Sequence, residues 1–574
     1  MAKPDFGRPA ICLNMIVRNE AHIVHEVLDA VAPHIVSWVI VDTGSVDGTQ
    51  DVIRNHMARL GIAGELYERP WRNFGENRSE ALDLARGHGD YIWVIDADDM
   101  VTGTPDFGSL TADVYELRYH DGGTMTYWRK QIFRDGLRWR YQGVVHEFPE
   151  CLDPTHGERL DGDYHIESRR LGARNQDPEK YARDRDLLLA EVARKPDDAR
   201  SAFYLAQSYF DLGDFDNART WYERRAAMGG WEEEVFRSLH RVAESMSNLG
   251  AAWPVVQDAF LRAWEYRPVR SEPLHAIAFR YRLDERYLLG YLFAKRAVEI
   301  PFPDGDILFV SADVYAWRAM DELAVCASRL QKHTEAFELC RQLVAGSVIP
   351  DEDRKRIAAN RDWSVPTMLD EALSYPAAAV QTLAAGPPEA EVTVSIVAGP
   401  DRNVTEVALN TFLNCCLDAS RIDRVIVFDT GLSAQDRATL LERYPFLEFS
   451  PSMPPADPGA LLTHIRGEIA GRFWLHLGRG WQFFAPEHLI TRLIGVLAAE
   501  PDVVQVAINY GDAPTLTGAC APEEAARRTP DAGRYVVTTG VARGPSMFDT
   551  VRLDRATAAS RSASLDEVHC VGGV

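Results

Sequence analysis

Three aspartates follow a short apolar run near the start of the chain. The stretch "YIWVI" leads directly into Asp96, Asp98 and Asp99, and a second apolar run, "SWVIVD", ends in Asp42. Clustered carboxylates are hard oxygen ligands of the kind that Mg²⁺ or Mn²⁺ prefers, and without a cation such close like charges repel each other. A metal ion that bridges a diphosphate would most simply remove this repulsion, although for a lone Asp-x-Asp pair a solvated turn is the favoured interpretation.

Apolar runs alternate with helical patterns around these acids. Strands are predicted for "AICLNMIV", "SWVIVD", "GELYERPW" and "YIWVI", and helices for "HIVHEVLDAV", "TQDVIRNHMARLG" and "ENRSEALDLARGHG". Strands that alternate with helices predict a parallel α/β sheet, in which ligands bind at the carboxyl ends of the strands. Asp42 and Asp96 both fall at such ends, so we expect them to lie at one edge of the sheet.

The order of the motifs "NMIVRNE", "VIVDTGSVDGT", "NRSEALDLA" and "WVIDADD" resembles the nucleotide-sugar domain of family 2 glycosyltransferases, which has a GT-A fold. The resemblance covers residues 1–172 and continues in "WRKQIFRDGLRWRYQGVVHEFPE". It implies a metal-dependent enzyme that moves a sugar, with inversion, from a nucleotide-diphosphate donor. A UDP-sugar is the favoured donor, and Mn²⁺ or Mg²⁺ is the implied cofactor.

The resemblance also implies roles for individual residues. Asp42 would receive the nucleotide base, Arg78 would face the diphosphate, and Asp98 would touch the metal. The implied nucleotide-binding set is Asp42, Glu20, Gly44, Ser45, Arg78 and Asp96, and the implied metal ligands are Asp96, Asp98 and His165. The chain departs from many family members at Ser79, where they have Asn, and at Asp99, where they have Glu.

An inverting transferase needs one group to take the proton of the acceptor as the sugar is attacked. We predict that Glu147, in "VVHEF", is this base and that it forms the catalytic pair with Asp98; the alternative is an acid that only starts a helix. His165 is either a metal ligand or a structural histidine. Trp139 and Tyr141 form either an acceptor wall or, as we favour, strand packing.

A helical segment is predicted for residues 173–373. The spacing of small and aromatic residues there matches tetratricopeptide repeats, which predicts an all-α solenoid with a concave face for partners. The residues that carry this match are Leu205, Ala206, Tyr209, Gly213, Ala218 and Tyr222. Such repeats after a family 2 domain resemble enzymes that glycosylate large acceptors, so the expected acceptor is a protein or a glycan.

The motif order then returns in a second copy. Residues 374–391 are predicted to be a linker, residues 392–560 a degenerate GT-A-like α/β domain and residues 561–574 a flexible tail. Placing Trp474 on Trp93 puts Leu477, Gly478, Arg479 and Gly480 where the first copy has Asp96 to Asp99. We therefore expect a second domain without the metal-binding acids, in which Arg479 is a candidate replacement for the cation. The predicted fold class is a multidomain chain of GT-A domain, solenoid and degenerate GT-A-like domain.

Composition limits the partners. The formal net charge is −23, which disfavours nonspecific binding to nucleic acid or to an anionic membrane. The eight cysteines are scattered without a CxxC pair, no apolar run is long enough to span a bilayer, and the N-terminus lacks a signal peptide, so a cytoplasmic protein is expected. Two alternatives stay open: a scaffold with non-catalytic domains, and sugar transfer to modified bases in DNA.

Overall fold

The computed structural model describes residues 9–120, 126–346, 348–388, 390–455, 457–508, 526–530, 533–537 and 544–560. The chain forms two compact units. The first runs to Pro268 and includes Gly305–Phe309, and the second comprises Val269–Asp304 and the chain from Val310 onward. Each unit contains a sheet domain and part of the helical region. The predicted flexible tail, 561–574, lies outside the described residues.

The first unit opens with a mixed sheet in the order β3-β2-β1-β4-β7-β6-β11-β5, with β10 added beside β6. The strands β1 to β4 are parallel where they pair, whereas β7 runs antiparallel to β4 and β6. Strands β8 and β9 form a separate antiparallel pair. The strands are β1 (Ile11–Val17), β2 (Ser37–Asp42), β3 (Ala63–Glu68), β4 (Tyr91–Val94), β5 (Asp99–Gly103), β6 (Val114–His120), β7 (Thr126–Arg134), β8 (Trp139–Gln142), β9 (Phe148–Cys151), β10 (Gly157–Arg159) and β11 (Tyr164–Ser168).

Apolar cores lie on both faces of this sheet. Leu13 and Trp93 belong to one core cluster, and Cys12 and Ile92 belong to another, as expected for alternating side chains of buried parallel strands. The helices of the first unit are α1 (Val24–Val31), α2 (Thr49–Leu60), α3 (Phe74–Leu84), α4 (Lys180–Arg194), α5 (Ala199–Asp211), α6 (Phe215–Ala227), α7 (Glu232–Asn248) and α8 (Trp253–Tyr266). The predicted α/β domain is therefore present, with its parallel strands ending at the acids.

Helices of the solenoid pack in sequence order within each unit. In the first unit, Ala206 of α5 and Ala218 of α6 are fully buried beside Phe203 and Tyr222, which is the pattern of small and aromatic residues that predicted the repeats. The helices of the second unit before its sheet are α9 (Glu272–Leu283), α10 (Tyr287–Val298), α11 (Ala319–Arg329), α12 (His333–Ala345), α13 (Asp351–Ala372) and α14 (Ala377–Ala384). Helix α14 lies inside the predicted linker 374–391, where an Ala-rich run favours helix.

The second unit contains a sheet in the order β14-β13-β12-β15-β19-β16. Its order and strand directions repeat β3-β2-β1-β4-β7 of the first sheet, including the antiparallel fifth strand. The strands are β12 (Val392–Ala398), β13 (Ile422–Asp429), β14 (Leu447–Phe449), β15 (Phe473–Leu477), β16 (Gln505–Ala507), the separate pair β17 (Ala526–Thr529) and β18 (Gly533–Val536), and β19 (Ser546–Asp549). The helices are α15 (Arg402–Cys415), α16 (Ala434–Arg443), α17 (Pro458–Glu468), α18 (Leu489–Ala499) and α19 (Thr550–Ser560).

The strand pairing corrects the predicted alignment of the two copies by one residue. Val17 pairs with Asp42 as Ala398 pairs with Asp429, and in this register Ile92, not Trp93, matches Trp474. Trp93 and Trp474 accordingly belong to core clusters on opposite faces of their sheets. A one-residue shift along a strand exchanges its two faces, so the shared tryptophan was a misleading marker.

In the corrected register Gly478 matches Asp96 and Gly480 matches Asp98, whereas Arg479 matches Ala97. The absence of acids from the second copy therefore stands, because glycines occupy the positions of both members of the Asp-x-Asp pair. Arg479 is instead exposed, with its guanidinium beside the backbone of Gly399.

Across the described ranges, no helix combines the length and the apolar character that a membrane crossing requires.

The second sheet generates a test through His476. This side chain is 8% exposed on β15, its Nδ1 lies 2.9 Å from Ser395 Oγ, and burial lowers the pKa of His476 to about 4. Between pH 7 and pH 5 the unfolded chain gains a proton at this histidine and the folded chain does not. Stability should therefore fall by about 2 kcal/mol from this group, and His476→Gln should remove that part of the pH dependence.

The measurement is calorimetric unfolding of wild type and variant at pH 7 and pH 5. His488→Gln is the matched control, because His488 is exposed in the same domain and its substitution should leave the pH dependence unchanged. Equal pH dependence in wild type and His476→Gln would contradict the prediction.

Candidate active site

Asp42 ends β2 and forms the base of a loop at the carboxyl edge of the first sheet. Its Oδ1 accepts hydrogen bonds from the backbone N–H groups of Gly44 and Ser45, both at 2.9 Å, and from Gln50 at 3.1 Å. Gly44 has φ of +103°, a conformation that favours glycine. Asp42 Oδ2 is buried and has no hydrogen-bond partner. This edge of the sheet therefore presents a buried acceptor that a ligand N–H could satisfy.

Glu20 lies in the loop after β1, beside the Asp42 loop. The N–H of Asn19 donates to Ser45 Oγ and the N–H of Glu20 donates to Thr49 Oγ1, both at 2.8 Å. These bonds hold the predicted residues Glu20, Gly44 and Ser45 in one cluster with Asp42. Burial, opposed by a hydrogen bond from Ala173 and assisted by the charge of Asp98, raises the pKa of Glu20 to about 7.

Arg78 joins the acid cluster to the candidate base. Its Nη2 donates to Asp96 Oδ1 at 2.5 Å, and its Nε donates to Glu147 Oε1 at 2.6 Å. The Arg78 and Glu147 side chains are 9% and 11% exposed. Burial opposes the ionisation of Asp96, but Arg78 and then Arg129 outweigh it and lower the pKa of Asp96 to about 2. One guanidinium therefore holds two carboxylates that come from different parts of the sequence.

Helix α3 places Arg78 at this point. Asn73 caps the helix by accepting a hydrogen bond from the N–H of Glu76 at 2.8 Å. Farther along, Asn14 Nδ2 of β1 donates to Ala81 O at 3.0 Å and to Val39 O at 3.1 Å, which ties the helix to two strands. Arg78 is on the face that meets the sheet edge.

The turn between β8 and β9 places Glu147 against the same helix. A Cβ added to Gly75 would lie 2.3 Å from Gly143 O, so the helix and the turn are in direct backbone contact. The N–H of Phe74 donates to Val144 O at 3.1 Å, and the N–H of Tyr141 donates to Ser79 Oγ at 2.9 Å. Ser79 therefore holds the strand that leads to Glu147.

Asp98 faces a segment that follows β11. The N–H of Gly172 donates to Asp98 Oδ2 at 2.9 Å, and the N–H of Ala173 approaches Glu20 Oε1 at 3.3 Å. Asp98 Oδ2 and Glu20 Oε1 both lie within 3.2 Å of the point that a Cβ on Gly172 would occupy. The two carboxylates therefore converge at one place under this segment.

Asp99 points into the sheet. It is 1% exposed and accepts a hydrogen bond from Tyr119 Oη at 3.0 Å. Burial and the charge of Asp96 raise the pKa of Asp99 well above its usual range. Asp99 and Asp98 therefore differ in environment, because Asp99 is buried inside the sheet and Asp98 faces its edge.

His165 lies on β11, opposite Thr102, with its ring stacked on His120 at 4.1 Å between centroids. Asp96 is engaged by Arg78 and lies 3.6 Å from Arg129. Over the described part of the chain, no group of three or more His, Cys, Asp or Glu side chains is arranged to hold a metal ion. Metal binding by Asp96, Asp98 and His165 therefore stays a prediction.

Sequence reasoning missed several contributors to the site. Arg129, Tyr119, Gly172 and Ala173 reach the acids from strands and loops far along the chain. A charged residue within the aromatic strand "TYWRKQIF" was the available signal for Arg129, whereas Gly172 had none. Trp139 is 4% exposed and packs in the core, as favoured.

The second copy keeps the loop but not the acids. The backbone N–H groups of Gly431 and Leu432 both donate to Asp429 Oδ1 at 2.7 Å, as Gly44 and Ser45 donate to Asp42. Arg437 pairs with the other Asp429 oxygen. The acceptor left without a partner in the first copy is thus occupied by an arginine in the second.

The shared guanidinium generates a prediction. Arg78→Met leaves two carboxylates without their partner, so the first unit should lose about 3 kcal/mol of stability. Adding Glu147→Gln should cost about 1–3 kcal/mol less in the Arg78→Met background than in wild type, because the pair has already been broken. Thermal unfolding of the four proteins measures both effects.

Arg86→Met is the matched control. Arg86 follows the same helix, but its ion pair with Asp83 is 43% and 40% exposed, so its loss should cost under about 0.5 kcal/mol. Equal losses for Arg78→Met and Arg86→Met would show that the buried ion pairs contribute no more than surface ones.

Comparison with known proteins matches part of the chain to a family model, and solved structures are similar only at a low level. Residues 12–156 match the family model described as Glycosyl transferase family 2. Comparison with curated proteins gives no match. Among solved structures, a fragment of MamA from Desulfovibrio magneticus RS-1 is 13% identical, with 29% of this chain and 84% of that chain covered at a TM-score of 0.23. The C-terminal part of a TPR repeat-containing protein from Cytophaga hutchinsonii is 11% identical, with 36% and 82% covered at a TM-score of 0.27.

These structural likenesses are low, and the repeat architecture rests on the helix pairs themselves. The family match covers β1 to β9, which are the strands that supply Asp42, Asp96 and the turn with Glu147. Residues 12–156 therefore match a glycosyl transferase family 2 domain, and the helices that follow pair as in tetratricopeptide repeats.

Proposed function

We propose that the family 2 domain is an active, metal-dependent glycosyltransferase that moves a sugar from a nucleotide-diphosphate donor to a large acceptor, protein or glycan, with inversion. The observation that carries the proposal is the buried link from Asp96 through Arg78 to Glu147, within a domain that matches the family. This link joins the acid cluster expected on the donor side to the base expected on the acceptor side. Because Arg78 binds both Asp96 and Glu147, the two carboxylates are held in a fixed relative position, which supports a functional role for them over a turn with no catalytic role.

The identity of the nucleobase in the sugar donor is inferred from Asp42. Its unpartnered Oδ2 is an acceptor, so it favours a base that offers a ring N–H. Uracil and guanine offer such a group, whereas the corresponding ring nitrogens of cytosine and adenine are acceptors. UDP and GDP are therefore the candidate nucleotides, and the family resemblance favours a UDP-sugar.

The residues fit a divalent cation only in part. Asp98 and Glu20 supply two convergent carboxylate oxygens, and Mg²⁺ or Mn²⁺ commonly takes one or two protein carboxylates with the remaining ligands from phosphate and water. We therefore assign the ion to Asp98 with Glu20, while Asp96 is committed to Arg78. A bound cation would neutralise the charge of the departing diphosphate. Among the described residues the His165 ring stacks on His120, and its inclusion as a ligand stays a prediction.

Glu147 is the proposed base. Its carboxylate is held by Arg78 on the turn between β8 and β9, and this turn faces the first solenoid helices. Arg78 fixes the carboxylate in place, and the side chain would take the acceptor proton. The scaffold alternative is not favoured, since the first copy keeps Asp96 and Glu147 on one buried guanidinium.

Asp98→Asn tests the proposed donor site. The substitution removes a charge from the proposed cation site, so Mn²⁺-dependent binding of UDP should weaken by at least about tenfold, while the fold is kept because Asn retains an acceptor for the Gly172 N–H. Calorimetric titration of UDP and of GDP, each with and without Mn²⁺, measures this in wild type and variant.

Asp161→Asn is the control, because Asp161 is an exposed acid in the same domain. This variant should bind UDP with Mn²⁺ as tightly as wild type does. Tight GDP binding instead of UDP binding would change the donor class. If neither nucleotide binds wild type with Mn²⁺, the enzyme proposal fails and the scaffold alternative takes its place.

A further inference from the structure

A short bent segment, with Phe309 at a φ of +48°, lies against helices of the solenoid. Gly305–Phe309 is part of the connection between α10 and α11 and forms no helix or strand. It belongs to the first compact unit, together with α5 and α7, although the chain on either side of it belongs to the second. We call Gly305–Phe309 the inserted segment.

The inserted segment is held through its backbone. Glu233, in the first turn of α7, accepts hydrogen bonds at one oxygen from the N–H of Ile307 at 2.8 Å and from the N–H of Leu308 at 2.7 Å. Glu233 is 7% exposed. Hydrogen bonds to a carboxylate are stronger than neutral ones, and bonds to successive backbone amides do not depend on the side chains of the bound segment. Such contacts recognise a bent backbone whose successive N–H groups point the same way.

Side-chain contacts add selectivity at three positions. Arg267 Nε donates to Asp306 Oδ2 at 2.8 Å, and the Asp306 side chain is 3% exposed. Leu308 packs against the core cluster of α5, α6 and α7. The Phe309 ring stacks on Phe203 at 6.4 Å.

The remaining position is unselective. The Ile307 side chain is 81% exposed, so any residue would fit there. The bound pattern is therefore an acid, any residue, leucine and an aromatic residue.

Helix α5 also contacts the β8–β9 turn, which carries the proposed base Glu147. The Tyr204 ring stacks on His146 at 4.0 Å, and Arg200 Nη2 donates to His146 O at 3.1 Å. Arg200 Nη1 also lies 3.6 Å from Glu234, the neighbour of Glu233. A cavity of about 230 Å³ opens between this turn and the start of α5. A chain bound along α5 and α7 is thus close to Glu147.

We propose that the groove formed by α5 and α7, together with Arg267 after α8, binds a bent segment of an acceptor polypeptide with the pattern acid, any residue, leucine, aromatic. The inserted segment occupies this groove as an internal mimic. That the bound polypeptide is an acceptor rests on the proposed function, whereas the presence of a peptide-binding site does not. Because the mimic is tethered, its effective concentration is on the order of millimolar, and an external segment binds only by displacing it.

The test uses a fluorescent peptide with the sequence DGDILFVS, which is that of residues 304–311. Its binding is measured by fluorescence polarisation to the full chain and to a release variant, Asp306→Asn with Phe309→Ala, whose inserted segment has lost two of its contacts. The release variant should bind the peptide at least about tenfold more tightly than wild type, because the competition is weakened. Adding Glu233→Gln to the release variant should abolish this gain.

Ile307→Ala is the matched protein control, since this side chain makes no selective contact, and it should bind the peptide as wild type does. A peptide with Asn for its second acid and Ala for its phenylalanine is the matched ligand control and should not bind. A folded release variant that binds no better than wild type overturns the proposal.

A second measurement avoids dependence on the folding of the variant. Hydrogen exchange of the Ile307 and Leu308 amides in wild type should accelerate when the peptide is added at millimolar concentration. Unchanged exchange under saturating peptide also overturns the proposal. Nucleotide binding, measured in the same proteins, is independent: peptide binding without UDP or GDP binding would keep the peptide site and remove the transferase, and the reverse result would do the opposite.

Discussion

The first unit is organised around the position of Arg78 between Asp96 and Glu147. A guanidinium that is nearly buried needs more than one partner, and here each partner comes from a different element: a strand end and a hairpin turn. Because all three groups are withdrawn from water together, moving any one of them leaves charge uncompensated in the others. The orientation of α3, the end of β4 and the β8–β9 turn are therefore set by a common electrostatic constraint, which Asn73 and Asn14 reinforce from the two ends of the helix.

The second copy shows what the same sheet does without that constraint. It repeats the strand order and the loop around Asp429, but Arg437 satisfies this aspartate locally. In the first copy, Asp42 Oδ2 at the edge of the sheet has no hydrogen-bond partner, whereas in the second copy the matching oxygen of Asp429 is paired with Arg437. The same strand order therefore forms with or without the buried Arg78 link, so the sheet itself does not require the residues of the candidate site.

Much of this organisation follows from sequence patterns, and the exceptions have physical causes. Strand ends that carry Asp42 and Asp96 are predictable because buried parallel strands and their helices have distinct periodicities. Arg129 and Gly172 were not predictable as site residues, since they reach the acids only through antiparallel pairing and a loop late in the domain. The match of Trp474 to Trp93 was wrong by one residue because tryptophan fits either face of a sheet with two cores, and only the strand pairing decides between the faces.

The contact between Gly75 and Gly143 has a consequence for how the domain can vary. Backbone meets backbone there, with no side chain between the helix and the hairpin turn. Side chains can adopt other rotamers to change a spacing, but two touching main chains cannot approach further. The distance between α3 and the β8–β9 turn is therefore fixed by this backbone contact, so a larger or smaller ligand beside Glu147 must be accommodated by side chains and not by moving these two elements.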